Sequence, residues 1–271
     1  MNSATGNPIF VGGVPRSGTT LLRVILDSHP RILCGTELRA VQALANLWQS
    51  ASQTAQPLLA SAYGVDAERL RHLFAGLILS FIEPAWRASA KARVAEKTPS
   101  NFLVFPQLAV LFPESPRIHV IRDGRDVVAS RLERDKAAAR GAALDAVTLA
   151  ATRAGEWVEA MNLRRIILGD AVLARTYFEI RYEQLIREPE TVLRTLLEFL
   201  GEGFDPRVLE FHRVERNVSG TEEWSAEAVR RPLFATSQGR WEHDLSTAEQ
   251  AAVMSVAGAT LAELGYTDRT S

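Results

Sequence analysis

A short apolar segment that runs into glycines and reopens as a helix leaves a chain few folds to choose from. Residues 8–14 (PIFVGGV) read as a short buried strand, and residues 19–28 (TTLLRVILDS) carry apolar side chains at helical spacing. Between them Gly13-Val14-Pro15-Arg16-Ser17-Gly18-Thr19-Thr20 fits the spacing G-x-x-x-x-G-x-[ST]. In a strand-to-helix setting, unpaired backbone N–H groups and the positive end of the helix dipole converge on an anion. Ser17, Thr19 and Thr20 add hydroxyls, Gly18 lies in the turn, and Arg16 supplies positive charge. Thr19 stands where a nucleotide triphosphatase has the lysine that reaches the outer phosphates. The loop therefore suits a nucleotide with a shorter anionic arm better than ATP or GTP. A glycine-rich turn at this place could also be purely structural.

The rest of the chain continues the alternation. Helices are expected at about 37–50 and 66–90, the second with Asp66 as N-cap and Pro84 as a kink or stop. His29-Pro30 should end the first helix. Strands follow at 93–98, 117–122 and 177–182, making four with the first, and further helices at about 101–112, 125–135, 145–167, 188–200 and 247–264. Strands separated by helices predict a three-layer α/β fold, a parallel central sheet flanked by helices, with ligands at the carboxyl ends of the strands. No repeat or linker marks a boundary, so residues 1–271 are expected to form one domain.

Charge narrows the partners. With 31 basic against 32 acidic side chains the net charge is −1, which argues against a general nucleic-acid or anionic-membrane binder. Any anion must be held by local chemistry. The longest apolar run, residues 73–82, is about half of what a membrane-spanning helix needs. The single cysteine, Cys34, allows no intramolecular disulfide, and no secretory signal is visible, so a cytoplasmic location is expected. The five histidines show no metal spacing, no carboxylate cluster suggests a metal, and none is expected. Of the basic residues only Lys91, Lys97 and Lys136 are lysines; a lysine kept at a special place then has a chemical reason more often than a generic one.

The stretch 11–39 (VGGVPRSGTTLLRVILDSHPRILCGTELR) resembles the 5′-phosphosulfate loop and following segment of sulfotransferases that use 3′-phosphoadenosine 5′-phosphosulfate (PAPS), nearest to the tyrosylprotein sulfotransferase branch. A second signature of those enzymes, strand, Arg-Asp-Gly-Arg, helix and a serine eight residues after the first arginine, is matched by Arg122-Asp123-Gly124-Arg125 through Ser130. Weaker similarity runs through Lys97-Thr98-Pro99, Tyr182-Glu183-Gln184-Leu185, Pro232 and Trp241 to Leu264-Gly265-Tyr266.

The resemblance implies a P-loop-type sulfotransferase domain that moves a sulfuryl group from PAPS to an acceptor hydroxyl and releases the bisphosphate PAP, without a metal. It implies that Arg122, Ser130 and Arg134 hold the 3′-phosphate, with Tyr182 and Arg231 as further cofactor contacts. It makes Glu37 the base, Lys97 the stabiliser of the leaving group, and Arg16 a contact to the sulfonate or leaving phosphate. Arg39 would face acidic groups near the acceptor. Ordinary readings stay open: Glu37 as a first-turn helix glutamate, Lys97 as a strand-end surface charge, and Arg125, Asp126, Arg131, Glu133 and Asp135 as a solvated helix face pairing within itself.

The donor side matches better than the acceptor side. Cys34 matches a cysteine of the relatives whose bridging partner is Ala95 here, an acidic neighbour of the base is Thr36, and a second acceptor arginine is Ala43. The acceptor is expected to be a hydroxyl-bearing small molecule, sugar or peptide, and a homodimer is left open. Rival readings are a P-loop kinase or hydrolase, which would need a loop lysine and an acidic magnesium ligand, and a non-catalytic nucleotide-binding protein, which would have no use for Glu37 and Lys97 together.

Overall fold

The computed structural model describes residues 7–140, 145–214 and 237–266. Five strands, β1 (Ile9–Gly12), β2 (Ile32–Cys34), β3 (Arg93–Lys97), β4 (Arg117–Ile121) and β5 (Tyr177–Arg181), form one parallel sheet in the order β2-β3-β1-β4-β5. The helices are α1 (Thr19–Ser28), α2 (Val41–Thr54), α3 (Gln56–Tyr63), α4 (Ala67–Ser89), α5 (Phe105–Leu111), α6 (Gly124–Ala138), α7 (Ala146–Gly169), α8 (Ala171–Ala174), α9 (Tyr182–Arg187), α10 (Pro189–Phe199), α11 (Trp241–Asp244) and α12 (Thr247–Glu263).

Side-chain alternation along the strands builds the two halves of the core. Ile9, Val11, Ala95, Ile118 and Val120 face α1 and α10, while Phe10, Val94 and Ile121 face the larger layer that includes α4, α5, α6, α7 and α12. The expected three-layer parallel α/β architecture is thus the one observed.

Three expectations are corrected. A fifth strand, β2, escapes sequence reading because three residues (ILC) carry no period; its register, Ile32↔Arg93 to Cys34↔Ala95, comes from pairing with a distant strand. Helix α2 starts at Val41 instead of about residue 37, so Glu37 lies on a loop and not in a first helical turn. Of the two outcomes expected at Pro84, a kink or a stop, the stop does not occur, and α4 runs on to Ser89. The proline ring lies on the exposed face, while Ile78 and Ile82 hold the opposite face in the core, and that burial offsets a proline cost of about 3 kcal/mol.

Other local readings hold. Asp66 caps α4, accepting from the Arg69 N–H at 2.7 Å, and His29 ends α1 in an extended conformation before Pro30. Cys34 is fully buried opposite Ala95, and burial pushes its thiol up to about 12. No helix among the described residues is long and apolar enough to cross a membrane.

Candidate active site

Each of the five strands delivers site residues at or just beyond its carboxyl end. The loop Gly13–Thr20 follows β1, Glu37 follows β2, Lys97 ends β3, Arg122 follows β4, and Tyr182 follows β5. A parallel sheet aligns these ends along one edge, which gathers residues that are far apart in sequence.

The phosphate loop is built by close approach. A Cβ on Gly13 would lie 2.5 Å from the Val120 carbonyl oxygen, and one on Gly18, whose φ is +104°, 2.5 Å from the Tyr182 ring. The ring of Tyr182, 7% exposed, therefore packs on the loop itself. Arg16 holds a left-handed φ of 81°, a conformation costing a non-glycine residue about 1–3 kcal/mol. Helix α1 has no side-chain N-cap and no acidic residue in its first turn. Its first-turn N–H groups face the loop with their charge uncompensated by a carboxylate. By contrast α6 is capped by Asp123 and carries Asp126 in its first turn.

Positive charge collects beside that loop. Arg16 Nε donates to Ser130 Oγ at 2.9 Å, and Arg122 Nη1 donates to the Arg16 carbonyl at 3.1 Å. Burial, then the proximity of Arg122 and Arg134, depresses the Arg16 pKa, the signature of cations packed together. Arg122 is 5% exposed and lies over the Tyr182 ring at 4.6 Å. Among the described residues, Ser17 Oγ and Arg122 Nε are buried polar atoms without a hydrogen-bond partner. Two orphan donors amid crowded arginines fit a phosphate-bearing ligand, because buried donors are otherwise satisfied.

The α6 face divides in two. Its amino-terminal part is buried: Asp126 accepts from the Gly239 and Trp241 N–H groups at 3.0 and 3.2 Å, and Arg125 pairs with Asp123 at 2.8 Å. Farther along, Arg131 and Asp135 pair with Glu156 and Arg153 of α7, and Glu133 with Arg240, so the outer portion pairs with other elements and not within itself. Gly124 lets α6 start against Trp157, whose ring a Cβ there would meet at 2.7 Å, and the Trp157 indole donates to the Arg122 carbonyl at 3.1 Å. Arg122 is thereby fixed from both sides.

Glu37 and Lys97 meet at the other end of the edge. Lys97 Nζ, in a fully buried side chain, lies 2.8 Å from Glu37 Oε1 and 3.3 Å from Thr20 Oγ1 of the loop. Arg39 Nε reaches Glu37 Oε2 at 3.1 Å. Burial raises the Glu37 carboxyl, but Lys97 and Arg39 outweigh it and hold the group below the usual carboxylate range, ionised at neutral pH. Lys97 is therefore no strand-end surface charge. The other two lysines also have specific partners: Lys91 donates to the Asp27 and Ile32 carbonyls at 2.6 and 2.9 Å, and Lys136 pairs with Glu249 at 3.0 Å.

A family model described as "Sulfotransferase family" matches residues 8–206. The chain belongs to that family. It is 31% identical over 269 residues to Protein-tyrosine sulfotransferase 1 of Danio rerio, covering 95% of this chain and 72% of that protein. Protein-tyrosine sulfotransferase A of Caenorhabditis elegans is 30% identical over 263 residues, covering 95% and 67%. In fold it is similar to the sulfotransferase domain of the Synechococcus PCC 7002 olefin synthase, with TM-score 0.63, 20% identity and 96% of each chain covered. A mouse sulfotransferase solved with PAP aligns with TM-score 0.58 at 13% identity over 96% of this chain and 87% of that one. Its chemistry is accordingly PAPS-dependent sulfuryl transfer, as the sequence resemblance implied.

Within this sulfotransferase the fold brings together Arg16, Ser17, Gly18, Thr19, Thr20, Arg122, Ser130 and Tyr182, with Glu37, Lys97 and Arg39 alongside. Arg134 acts on Arg16 through its field and has an exposed side chain, unlike buried Ser130. Arg231 lies outside the described residues. Sequence reading passed over Glu96, next to Lys97 in β3, and Asn101, which donates to it, both buried; the only signal was a second charged side chain beside Lys97 at the end of a short strand.

Proposed function

We propose that this chain, as one sulfotransferase domain, transfers the sulfuryl group of PAPS to a phenolic hydroxyl, with Glu37 as general base. The 2.8 Å contact between Glu37 and Lys97, beside Thr20 of the phosphate loop, carries the reading. A nucleotide-binding protein without chemistry has no use for a buried lysine held against a carboxylate at the mouth of its phosphate loop. A kinase would place its lysine in the loop, where Thr19 stands.

PAPS supplies the sulfuryl group and leaves as PAP. Arg122, Ser130 and Arg134 hold the 3′-phosphate, while Ser17 to Thr20 and Arg16 hold the 5′ end. The ionised Glu37 takes the acceptor proton on a carboxylate oxygen. Lys97 has two claims on it, Glu37 and the developing negative charge on the leaving phosphate. As that charge grows, Lys97 is drawn toward it, its hold on Glu37 slackens, and the carboxylate gains proton affinity when the proton must move. Arg39 sits at the rim, 57% exposed, placed to meet an acidic neighbour of the acceptor.

The phenolic class is favoured because the similar proteins of Danio rerio and Caenorhabditis elegans are named protein-tyrosine sulfotransferases. Labelled sulfate from PAPS should pass to a tyrosine peptide with acidic flanks or to a simple phenol, and not to the matching phenylalanine peptide. Transfer to a sugar alone would overturn the phenolic assignment. A cytoplasmic location is part of the proposal. Its support is Cys34, buried opposite an alanine, so that folding draws on no disulfide among the described residues. Cell fractionation checks it.

Two binding outcomes test the donor side. PAP at a hundredfold excess over its dissociation constant should stabilise the protein by about 2.7 kcal/mol, and ATP with magnesium much less, in a thermal melt. Equal shifts would remove the donor assignment. Arg122→Ala should weaken PAP about ten- to a hundredfold by calorimetry, with a smaller loss for Ser130→Ala, since a charged hydrogen bond is worth roughly 1.5–3 kcal/mol. Unchanged affinity in a folded Arg122 variant would show the 3′-phosphate to lie elsewhere.

A further inference from the structure

Glu96 is a buried carboxylate that the reaction, as described, does not use. It is 4% exposed and precedes Lys97 at the end of β3, so the two side chains leave opposite faces of the sheet. Lys97 reaches Thr20 of α1, and Glu96 turns to Asn101 in the 3-10 turn Pro99–Val104 on the other face. Both oxygens of Glu96 accept: Oε1 from the Leu38 N–H at 3.1 Å and from Thr98 Oγ1 at 2.7 Å, Oε2 from Asn101 Nδ2. Thr98 Oγ1 in turn accepts from the Arg39 N–H at 3.2 Å.

The two backbone N–H groups that follow Glu37 are therefore both held by this network. The loop between β2 and α2 has no helical or strand hydrogen bonds of its own around Glu37. It straddles the end of β3 and is gripped from both faces: Glu37 by Lys97 on one, Leu38 and Arg39 by Glu96 and Thr98 on the other. We propose that Glu96 is a positioning residue for the catalytic base, fixing the backbone at Leu38, and through Thr98 at Arg39, so that the Glu37 carboxylate meets Lys97. The proposal rests on Glu37 being the base.

Several features say that the network is built for a carboxylate. All groups facing Glu96 are donors, and an ionised carboxylate is the one side chain that offers only acceptors. Burial holds its proton affinity above the usual glutamate range, and the Asn101, Thr98 and Leu38 donors with nearby Lys97 offset part of that rise. Loss of the carboxylate would take the acceptor from three donors, the Leu38 N–H, the Thr98 hydroxyl and the Asn101 amide, and free the loop to move Glu37 by the ångström that costs a base its reach.

The test follows Glu37 itself. In protein labelled with ¹³C at the glutamate carboxyls, the Glu37 signal of the natural chain should titrate below the usual glutamate range, because Lys97 and Arg39 hold it there. In Glu96→Ala and in Thr98→Val that midpoint should rise toward about 4.3, the value of an unpaired glutamate. In Glu96→Gln, which keeps the Oε1 acceptor, it should stay near the natural value. PAP affinity by calorimetry should be unchanged in all three. With labelled PAPS and 4-cresol as the acceptor probe, kcat should fall tenfold or more in Glu96→Ala and Thr98→Val, without a matching rise in KM, and recover substantially in Glu96→Gln.

A Glu37 midpoint that does not move in a folded Thr98→Val or Glu96→Ala protein overturns the proposal. So does loss of PAP binding in parallel with activity, which would mark Glu96 as a plain structural support. If both alanine and valine variants fail to fold, an unaltered turnover profile in folded Glu96→Gln still supports it, and a Gln variant as impaired as Glu37→Gln overturns it. Should Glu37→Gln itself retain turnover, the failure belongs to the base assignment and not to the role of Glu96 in placing the loop, which the titration reads separately.

Discussion

Glu37→Gln is expected to leave PAP affinity unchanged and to lower turnover by roughly 10²–10⁴, the range for loss of a positioned general base. The amide is nearly isosteric, and an amide oxygen can still accept from Lys97 Nζ, so the 2.8 Å contact survives in form. What disappears is the capacity to take a proton. Burial, PAP binding and melting should therefore move little, and the loss should fall on kcat. Near-normal sulfate transfer from PAPS by this variant would place the base elsewhere. Because the free-enzyme carboxyl is held below the usual range by Lys97 and Arg39, the natural enzyme should keep its kcat/KM down to pH values below about 4.3 before the acid limb appears, provided the fold survives.

Lys97→Ala should lower turnover by about 10²–10³, comparable to removing one preorganised donor from developing negative charge. Its ground-state binding of PAP should suffer less, because the interaction is strongest as charge builds on the leaving phosphate. Two further readouts separate this role from plain packing. Removing the cation leaves Glu37 under burial with only Arg39 as a partner, so the acid limb of kcat/KM should move up in pH relative to the natural enzyme. Lys97→Arg should not rescue, since a fully buried side chain tied to Thr20 and Glu37 leaves no room for the longer, planar guanidinium. An acid limb that stays in place in Lys97→Ala would show that Lys97 does not set the state of the base.

The donor half of the site was legible because its chemistry is local. Gly13 to Thr20 is a continuous loop whose function follows from backbone N–H groups, a helix end and short side chains. Arg122 and Ser130 are a strand end and the next helix at a spacing that turns them inward. His29-Pro30 as a helix stop and Asp66 as a cap are likewise decided by neighbours in the chain. The charges along α6 read locally as a face that pairs within itself, but Arg131, Glu133 and Asp135 find their partners on α7 and at Arg240, and Asp126 is buried by Gly239 and Trp241 arriving from the far end of the chain.

By itself, then, the sequence determined the layer architecture, the phosphate loop and the Arg122-to-Ser130 signature, and its resemblance to the family singled out Glu37 and Lys97 as candidates for the base and its lysine. Periodicity and turn chemistry are short-range and act before the chain has folded. The tertiary structure alone decided that β2 exists, that Glu37 sits on a loop, and that Glu96, Thr98 and Asn101 hold that loop in place. Each of these depends on groups that meet only across the sheet. There a three-residue strand gains its hydrogen bonds from a partner, and a buried carboxylate becomes tolerable because three donors converge on it.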